Sequence, residues 1–258
     1  MNKLNEIVAF KRLELAETKR ARPLAQLEKE IKRRTPPRGF GAAIRRPGKL
    51  SLIAEIKKAS PTAGPIRPQA DVSEIARAYA GAGAQAVSVL TDQKFFSGSL
   101  KDLASVREKI PLPLLRKDFL LEEYQVVEAA AGGADAVLLI VAILQRAQLK
   151  RLLDLASELS LDALVEVHSE LELEEALEAG ARIVGINNRD LQTLQVDLKV
   201  TQRLMRRVPA DRIRVSESGI HCWADAQFAQ AQGADAILVG EELMSSSDPA
   251  AKIQELMG

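Results

Sequence analysis

The chain of 258 residues reads as an α/β protein, a (β/α)8 TIM barrel with an N-terminal helical extension. Three observations predict this. After Lys49, eight short apolar runs (52–56, 86–90, 112–115, 136–140, 163–167, 183–186, 213–216 and 236–239) alternate with amphipathic stretches. Strands apolar on both faces and separated by helices belong to parallel sheets covered on both sides, and eight such units suggest closure. Second, a motif recurs about every 50 residues: GAQAVSVL from Gly83, GADAVLLI from Gly133, GARIVGI from Gly180 and GADAILVG from Gly233. Each glycine is the expected helix C-cap, a left-handed position that costs only glycine nothing. Each motif leads into an even-numbered strand, as pairs of βα units would. Third, polar residues gather at the strand ends where barrels do chemistry.

The elements follow in order. Residues 2–34 read as helix, with apolar Leu4, Ile7, Val8, Leu13 and Leu15, then Leu24, Leu27 and Ile31, punctuated by Pro23. TPPRGFGAAIRRPGK, 35–49, is a Pro/Gly-rich connector, either a linker or a loop that seats Phe40 on the body. The division is therefore 1–48, an extension expected to cover the barrel mouth, and 49–258, the barrel, in one domain overall. DVSEIARAYAGAG, SLKDLASVREKI, LEEYQVVEAAAGG and QRAQLKRLLDLASELS are the most regular of the helices between strands.

Composition narrows the function classes. Lys+Arg 36 against Asp+Glu 35 gives net +1, so no global charge draws the chain to nucleic acid or a membrane. A single cysteine, Cys222, rules out an intrachain disulfide and fits a cytoplasmic location. No apolar run approaches the roughly 18 residues of a membrane helix. Cys/His zinc motifs are absent.

In LSLIAEIKKASPTAG, Glu55 and Lys57 alternate onto the face of Ile53, which in a barrel is the interior. The same alternation brings Lys117 after Leu115, Glu166 and His168 after Leu164, Asn187 and Arg189 after Ile183, and Glu217 after Val215. Any one of these is as readily a solvated strand end, and Lys58, Asp118 and His168 are read that way or as packed residues. Glu55, Lys57, Lys117, Glu166 and Glu217 converging on one mouth are different, because ions are buried together only when they pair. Such crowding separates pKa values and makes acids and bases. The turns ESGI and VGEEL, after the seventh and eighth strands, suit a phosphate through backbone N–H groups. Ser218, Gly219, Gly240 and the N–H of Glu241 are candidates there, with Ser60 near the same rim.

Taken together, IAEIKKASP, LTDQKFFSGS, LRKDF, LLIV, LVEVH, GINNRDL, SESGI and VGEELM closely resemble the indole-3-glycerol phosphate synthase family over residues 50–245, and the extension resembles that family's too. The resemblance implies closure of 1-(2-carboxyphenylamino)-1-deoxyribulose 5-phosphate to indole-3-glycerol phosphate with loss of CO2 and water. The enzyme would be a carboxy-lyase of tryptophan biosynthesis without a cofactor. It implies Lys117 as general acid for ring closure, Glu55 as base and Lys57 as acid in dehydration, with Glu166 a further candidate acid. Asn187 and Glu217 hold hydroxyls and catalytic side chains. Arg189 reaches the anthranilate end, and Phe96, Phe119 and Leu191 sandwich its ring. Phosphate falls to Ser60, Ser218, Gly219, Gly240 and Glu241. Ala59 and Glu241 depart from the Lys and Ser of some members. The expected partner is this phosphorylated small molecule, with the protein a monomer or weak dimer. The competing readings are a phosphoribosyl isomerase and a phosphosugar-binding barrel without catalysis.

Overall fold

A computed structural model describes residues 3–191 and 193–258; the expected helical start at Asn2 lies outside them. The strands are β1 Ser51–Ile56, β2 Ala86–Leu90, β3 Leu114–Lys117, β4 Ala136–Ile140, β5 Asp162–Val167, β6 Ile183–Asn187, β7 Ile213–Glu217 and β8 Ala236–Val239. They close into one all-parallel barrel in chain order, with β1 paired to both β2 and β8. Helices fill the crossovers, among them Val72–Gly81, Leu100–Lys109, Glu123–Ala131 and Arg146–Glu158. The four repeat glycines all take the left-handed conformation, at φ 95° for Gly83, 87° for Gly133, 95° for Gly180 and 102° for Gly233.

Three strands run further than their apolar runs. Lys117, Asn187 and Glu217 are the last residues of β3, β6 and β7, so they are held by the ladder and not by loops. The third strand also starts later than its apolar run, at Leu114 instead of Leu112. Pro113 precedes it and has no N–H to give a ladder.

Interior positions alternate with helix-facing ones. Ile53, Ala86, Leu115, Leu138, Leu164, Ile183, Val215 and Leu238 form a cluster inside the barrel. A larger cluster lies between sheet and helices. Burying these two apolar layers, at about 25 cal/mol per Å², is the main force closing the ring.

The extension folds as α1 Lys3–Ala21 and α2 Leu24–Ile31, broken at Pro23, then α3 Phe40–Ile44. The connector is no loose linker. Phe40 and Ile44, both fully buried, plug the barrel floor against the interior cluster. The Gly41 N–H donates to Asp162 Oδ2 at 2.8 Å, and Arg38 Nη1 donates to the carbonyls of Ile110 at 2.7 Å and Leu112 at 2.8 Å. α1 reaches the opposite end: Lys11 pairs with Asp92 and Asp118, which follow β2 and β3. Among the described residues, no helix is long and apolar enough to cross a membrane.

Candidate active site

The C-terminal ends of the strands enclose a cavity of about 210 Å³. Every side chain of the expected acid/base set lines it, Glu55, Lys57, Lys117, Glu166 and Glu217, with Asn187 beside them. So do Phe96, Phe119, Arg189, Leu191, Ser218, Gly219, Gly240 and Glu241. Ser60 does not. It sits in a small hairpin of Ala59–Ser60 and Gly64–Pro65, where its Oγ accepts from the Ala63 N–H at 3.0 Å.

Lys117 is the hub. Its Nζ lies 3.0 Å from Glu217 Oε2, 3.5 Å from Glu166 Oε2 and 3.9 Å from Glu55 Oε2. Lys57 Nζ lies 3.5 Å from Glu55 Oε1. Burial disfavours the Lys117 ammonium, but the fields of Glu217, Glu166 and Glu55 outweigh it and hold the group charged. Glu217 responds the other way: burial, and repulsion from Glu166, push it up to about 7 although Lys117 pulls down. Burial also works against the Glu166 anion, yet Lys117 and His168 keep its carboxyl well below the usual range.

Two glycines make this crowding possible. A Cβ on Gly185 would overlap Glu217 Oε1, and one on Gly240 would meet Glu55 Oε1 at 2.5 Å. Both glycines occupy interior positions in which a side chain would take the space of a carboxylate.

His168 was expected to be packed or solvated. It is packed, and it also belongs to the charge pattern. Its Nε2 is 3.3 Å from Glu166 Oε1 and its Nδ1 3.1 Å from Glu172 Oε2. Despite burial, these two carboxylates raise it to about 10, so the ring is a cation at neutral pH. Lys57, Lys117 and His168 thus face Glu55, Glu166 and Glu217. Periodicity had put His168 on the right face; only the fold shows Glu172 reaching back from the following helix, Glu170–Ala179. Asp118, likewise expected to be solvated or packed, is buried against Lys11, Arg116 and Thr91. Lys58 pairs with Asp102 at 2.8 Å.

The rim after β6 and β7 rests on Asn188, which sequence reasoning passed over. Its buried Nδ2 donates to the Glu217 and Ser218 carbonyls at 3.0 Å each. It thereby braces a turn in which Ser218 (φ 65°) and Gly219 (φ 79°) are both left-handed. Ser218 Oγ donates to Asn187 Oδ1 at 2.8 Å. Arg189 stands 3.9 Å from Glu241, setting a cation beside that carboxylate. Leu138, Ile140 and Leu238 give the cavity an apolar floor, and Phe96 and Phe119 pack with ring centroids 6.1 Å apart.

The family model for indole-3-glycerol phosphate synthase matches residues 4–256. The chain belongs to that family. It is 46% identical to the indole-3-glycerol phosphate synthase of Roseiflexus castenholzii, covering 99% of this chain and 98% of that one. It is 47% identical to that of a Nocardioides species, covering 100% and 99%. It is also 45% identical to that of Acetivibrio thermocellus, covering 98% of each. Among solved structures, a 3-hexulose-6-phosphate synthase superposes with a TM-score of 0.64 at 17% identity, over 81% of this chain and 98% of that one. The thiamine phosphate pyrophosphorylase of Pyrococcus furiosus gives 0.62 at 20% identity, over 80% and 93%. These two likenesses are of fold alone. The family's reach to residue 4 takes in the extension as well as the barrel.

Proposed function

We propose that this protein is an indole-3-glycerol phosphate synthase, closing 1-(2-carboxyphenylamino)-1-deoxyribulose 5-phosphate to indole-3-glycerol phosphate with release of CO2 and water. The observation that carries the reading is the single ammonium of Lys117 set among three carboxylates over an apolar, phenylalanine-lined floor.

The geometry suggests how the steps divide. Ring closure puts negative charge on the ketone oxygen as the aromatic carbon attacks. Lys117, kept protonated by its neighbours, is the acid for that oxygen. Loss of CO2 then restores aromaticity. Dehydration needs a base for the ring N–H proton and an acid for the departing hydroxyl. Glu55 on β1 and Lys57 just beyond its end, 3.5 Å apart, form such a pair. Glu166, an anion pinned between Lys117 and His168, is a poor proton donor in the free enzyme. That favours Lys57 as the dehydration acid and leaves Glu166 to steady the Lys117 charge. Each positioned acid or base is worth about 10²–10⁴-fold. Asn187 and Glu217 orient substrate hydroxyls and Lys117. Phe96, Phe119 and Leu191 hold the aromatic ring, and Arg189 its side of the mouth. The turns at Ser218–Gly219 and Gly240–Glu241 take the phosphate through N–H groups, with Ser60 a more distant contributor. Of the extension, α1 covers the mouth from the β2–β3 side, a role favoured by its anchoring through Lys11, while Phe40 and Ile44 close the opposite end; a drier site strengthens every charge in it. The protein needs no cofactor in this scheme and works in the cytoplasm as a monomer or weak dimer.

The test is single-turnover and steady-state kinetics with the carboxyphenylamino substrate, following indole fluorescence, for wild type and Lys117→Ala. Wild type should form indole product, and the variant should lose at least about 10³-fold in kcat with binding kept. Wild type that binds substrate yet forms no indole would overturn the reading.

A further inference from the structure

Lys11 lies on α1, outside the cavity, yet it is among the most buried cations of the chain, at 4% exposure. Its Nζ is 2.6 Å from Glu14 Oε2 on the same helix, 2.7 Å from Asp92 Oδ2 after β2, and 3.0 Å from Asp118 Oδ1 after β3. Burial disfavours the ammonium, but Asp118 and Asp92 raise its pKa on balance, so it stays charged. Behind it, Arg116 pairs with Asp118 at 3.2 Å and with Glu128 at 2.9 Å. Thr91 donates to Asp118 Oδ2 at 2.6 Å.

The two aspartates do more than bind a lysine. Asp92 Oδ1 accepts the N–H of Phe95 at 2.7 Å, capping the short helix Gln93–Phe96. Asp118 Oδ1 accepts the N–H of Phe119 at 2.8 Å. One ammonium therefore fastens the two backbone segments that present Phe96 and Phe119. These two rings come from different βα loops and meet in the cavity. The Asp92 loop is closed further by its own carbonyl, which accepts the Gly98 N–H at 2.8 Å. No other described cation lies within ion-pair distance of Asp92; Asp118 has Arg116 as well.

We propose that Lys11 of the extension is a positioning residue for the aromatic end of the substrate, holding Phe96 and Phe119 at their spacing through Asp92 and Asp118. This rests on the synthase reading for the identity of the substrate. Without the ammonium, Asp92 would be left without a described cation beside it while Asp118 keeps only Arg116, and the two buried carboxylates would move apart, carrying the loops with them. The Phe96–Phe119 gap would widen. The turns at Ser218–Gly219 and Gly240–Glu241, on the other side of the barrel, would keep their shape. The loss is thus confined to one end of the ligand.

The experiment compares wild type, Lys11→Met and Lys11→Arg in the full chain. Three readouts are taken: KM and kcat for the carboxyphenylamino substrate, the Kd of anthranilate from its fluorescence, and competition by inorganic phosphate. Lys11→Met should raise KM and the anthranilate Kd by about 10- to 100-fold, with kcat and phosphate affinity changed less than about threefold. Lys11→Arg, which keeps the charge, should recover most of the loss. Wild-type KM and anthranilate affinity in Lys11→Met would overturn the proposal. So would equal weakening of anthranilate and phosphate, since Lys11 would then support the scaffold as a whole. If Lys11→Met does not fold, Asp92→Asn carries the same comparison: it keeps an acceptor for Phe95 but removes one charge from around Lys11, and should show the same selectivity at about 3- to 10-fold. If wild type binds anthranilate but turns nothing over, the synthase reading falls, while the anthranilate comparison still decides the role of Lys11.

Discussion

Replacing Gly185 by alanine tests whether the acid/base ring depends on space as much as on charge. Gly185 lies inside the barrel on β6, and its added Cβ would overlap Glu217 Oε1, inside the 3.0 Å that real Cβ atoms keep, and would stand 3.1 Å from Leu164 Cδ1. Gly185 is not in the left-handed region, so backbone strain does not confound the substitution. Leu164 is packed in the core and cannot retreat, so the carboxylate must move, by about 1 Å. The Lys117–Glu217 contact of 3.0 Å then stretches beyond hydrogen-bond length. A misplacement of this size costs about 10²-fold in rate, and kcat of Gly185→Ala should fall by about 10- to 100-fold. Glycine to alanine stiffens the unfolded chain, which offsets part of the crowding, so the melting temperature should stay within about 4 °C of wild type. The assay is indole formation under single turnover, alongside thermal melting, for wild type, Gly185→Ala, Glu217→Gln and the double variant. Because both changes act on one carboxylate, the double variant should be little worse than Glu217→Gln alone. A kcat for Gly185→Ala within about threefold of wild type would refute the reasoning, as would fully additive losses in the double variant.

Other consequences can be checked with the same preparations. Since Glu217 is pushed up to about 7, the kcat/KM of wild type should fall on the acid side as Glu217 protonates and loosens its hold on Lys117; this limb should be missing in Glu217→Gln. His168 is raised from 6.5 to about 10 by Glu166 and Glu172, so the stability it contributes is complete below about pH 6.5 and is lost as the pH climbs toward 10. Melting temperatures measured from pH 7 to 10 should therefore decline more steeply for wild type than for His168→Asn, and parallel curves would contradict the charge pairing. Phe40→Ala should open a void in the barrel floor and cost about 3–5 kcal/mol in denaturant unfolding, while kcat in the folded fraction stays near wild type, since the floor lies at the end away from the cavity.

The legibility of this chain was uneven, for physical reasons. Periodicity placed Glu55, Lys117, Glu166 and Glu217 on the interior face because a strand alternates strictly, whatever surrounds it. The repeat glycines were legible because a left-handed C-cap is a local demand that few other residues meet. Strand limits were less so: the apolar runs stop where polarity begins, yet hydrogen bonding carries β3, β6 and β7 on through Lys117, Asn187 and Glu217.

By itself, then, the sequence determined the barrel, its eight strands, the glycine turns after β7 and β8 and most of the residues facing the mouth, since these follow from local preference and alternation. What only the tertiary structure decided are pairings across distant segments. Phe40 could have been a linker residue until the barrel floor received it. His168 and Asp118 looked dispensable until Glu172 and Lys11 came to meet them. Gly185 and Gly240 were ordinary glycines until Glu217 and Glu55 filled the space beside them. An ion's role depends on which opposite charges share its low-dielectric surroundings, and that is set by three-dimensional closure rather than by position along the chain.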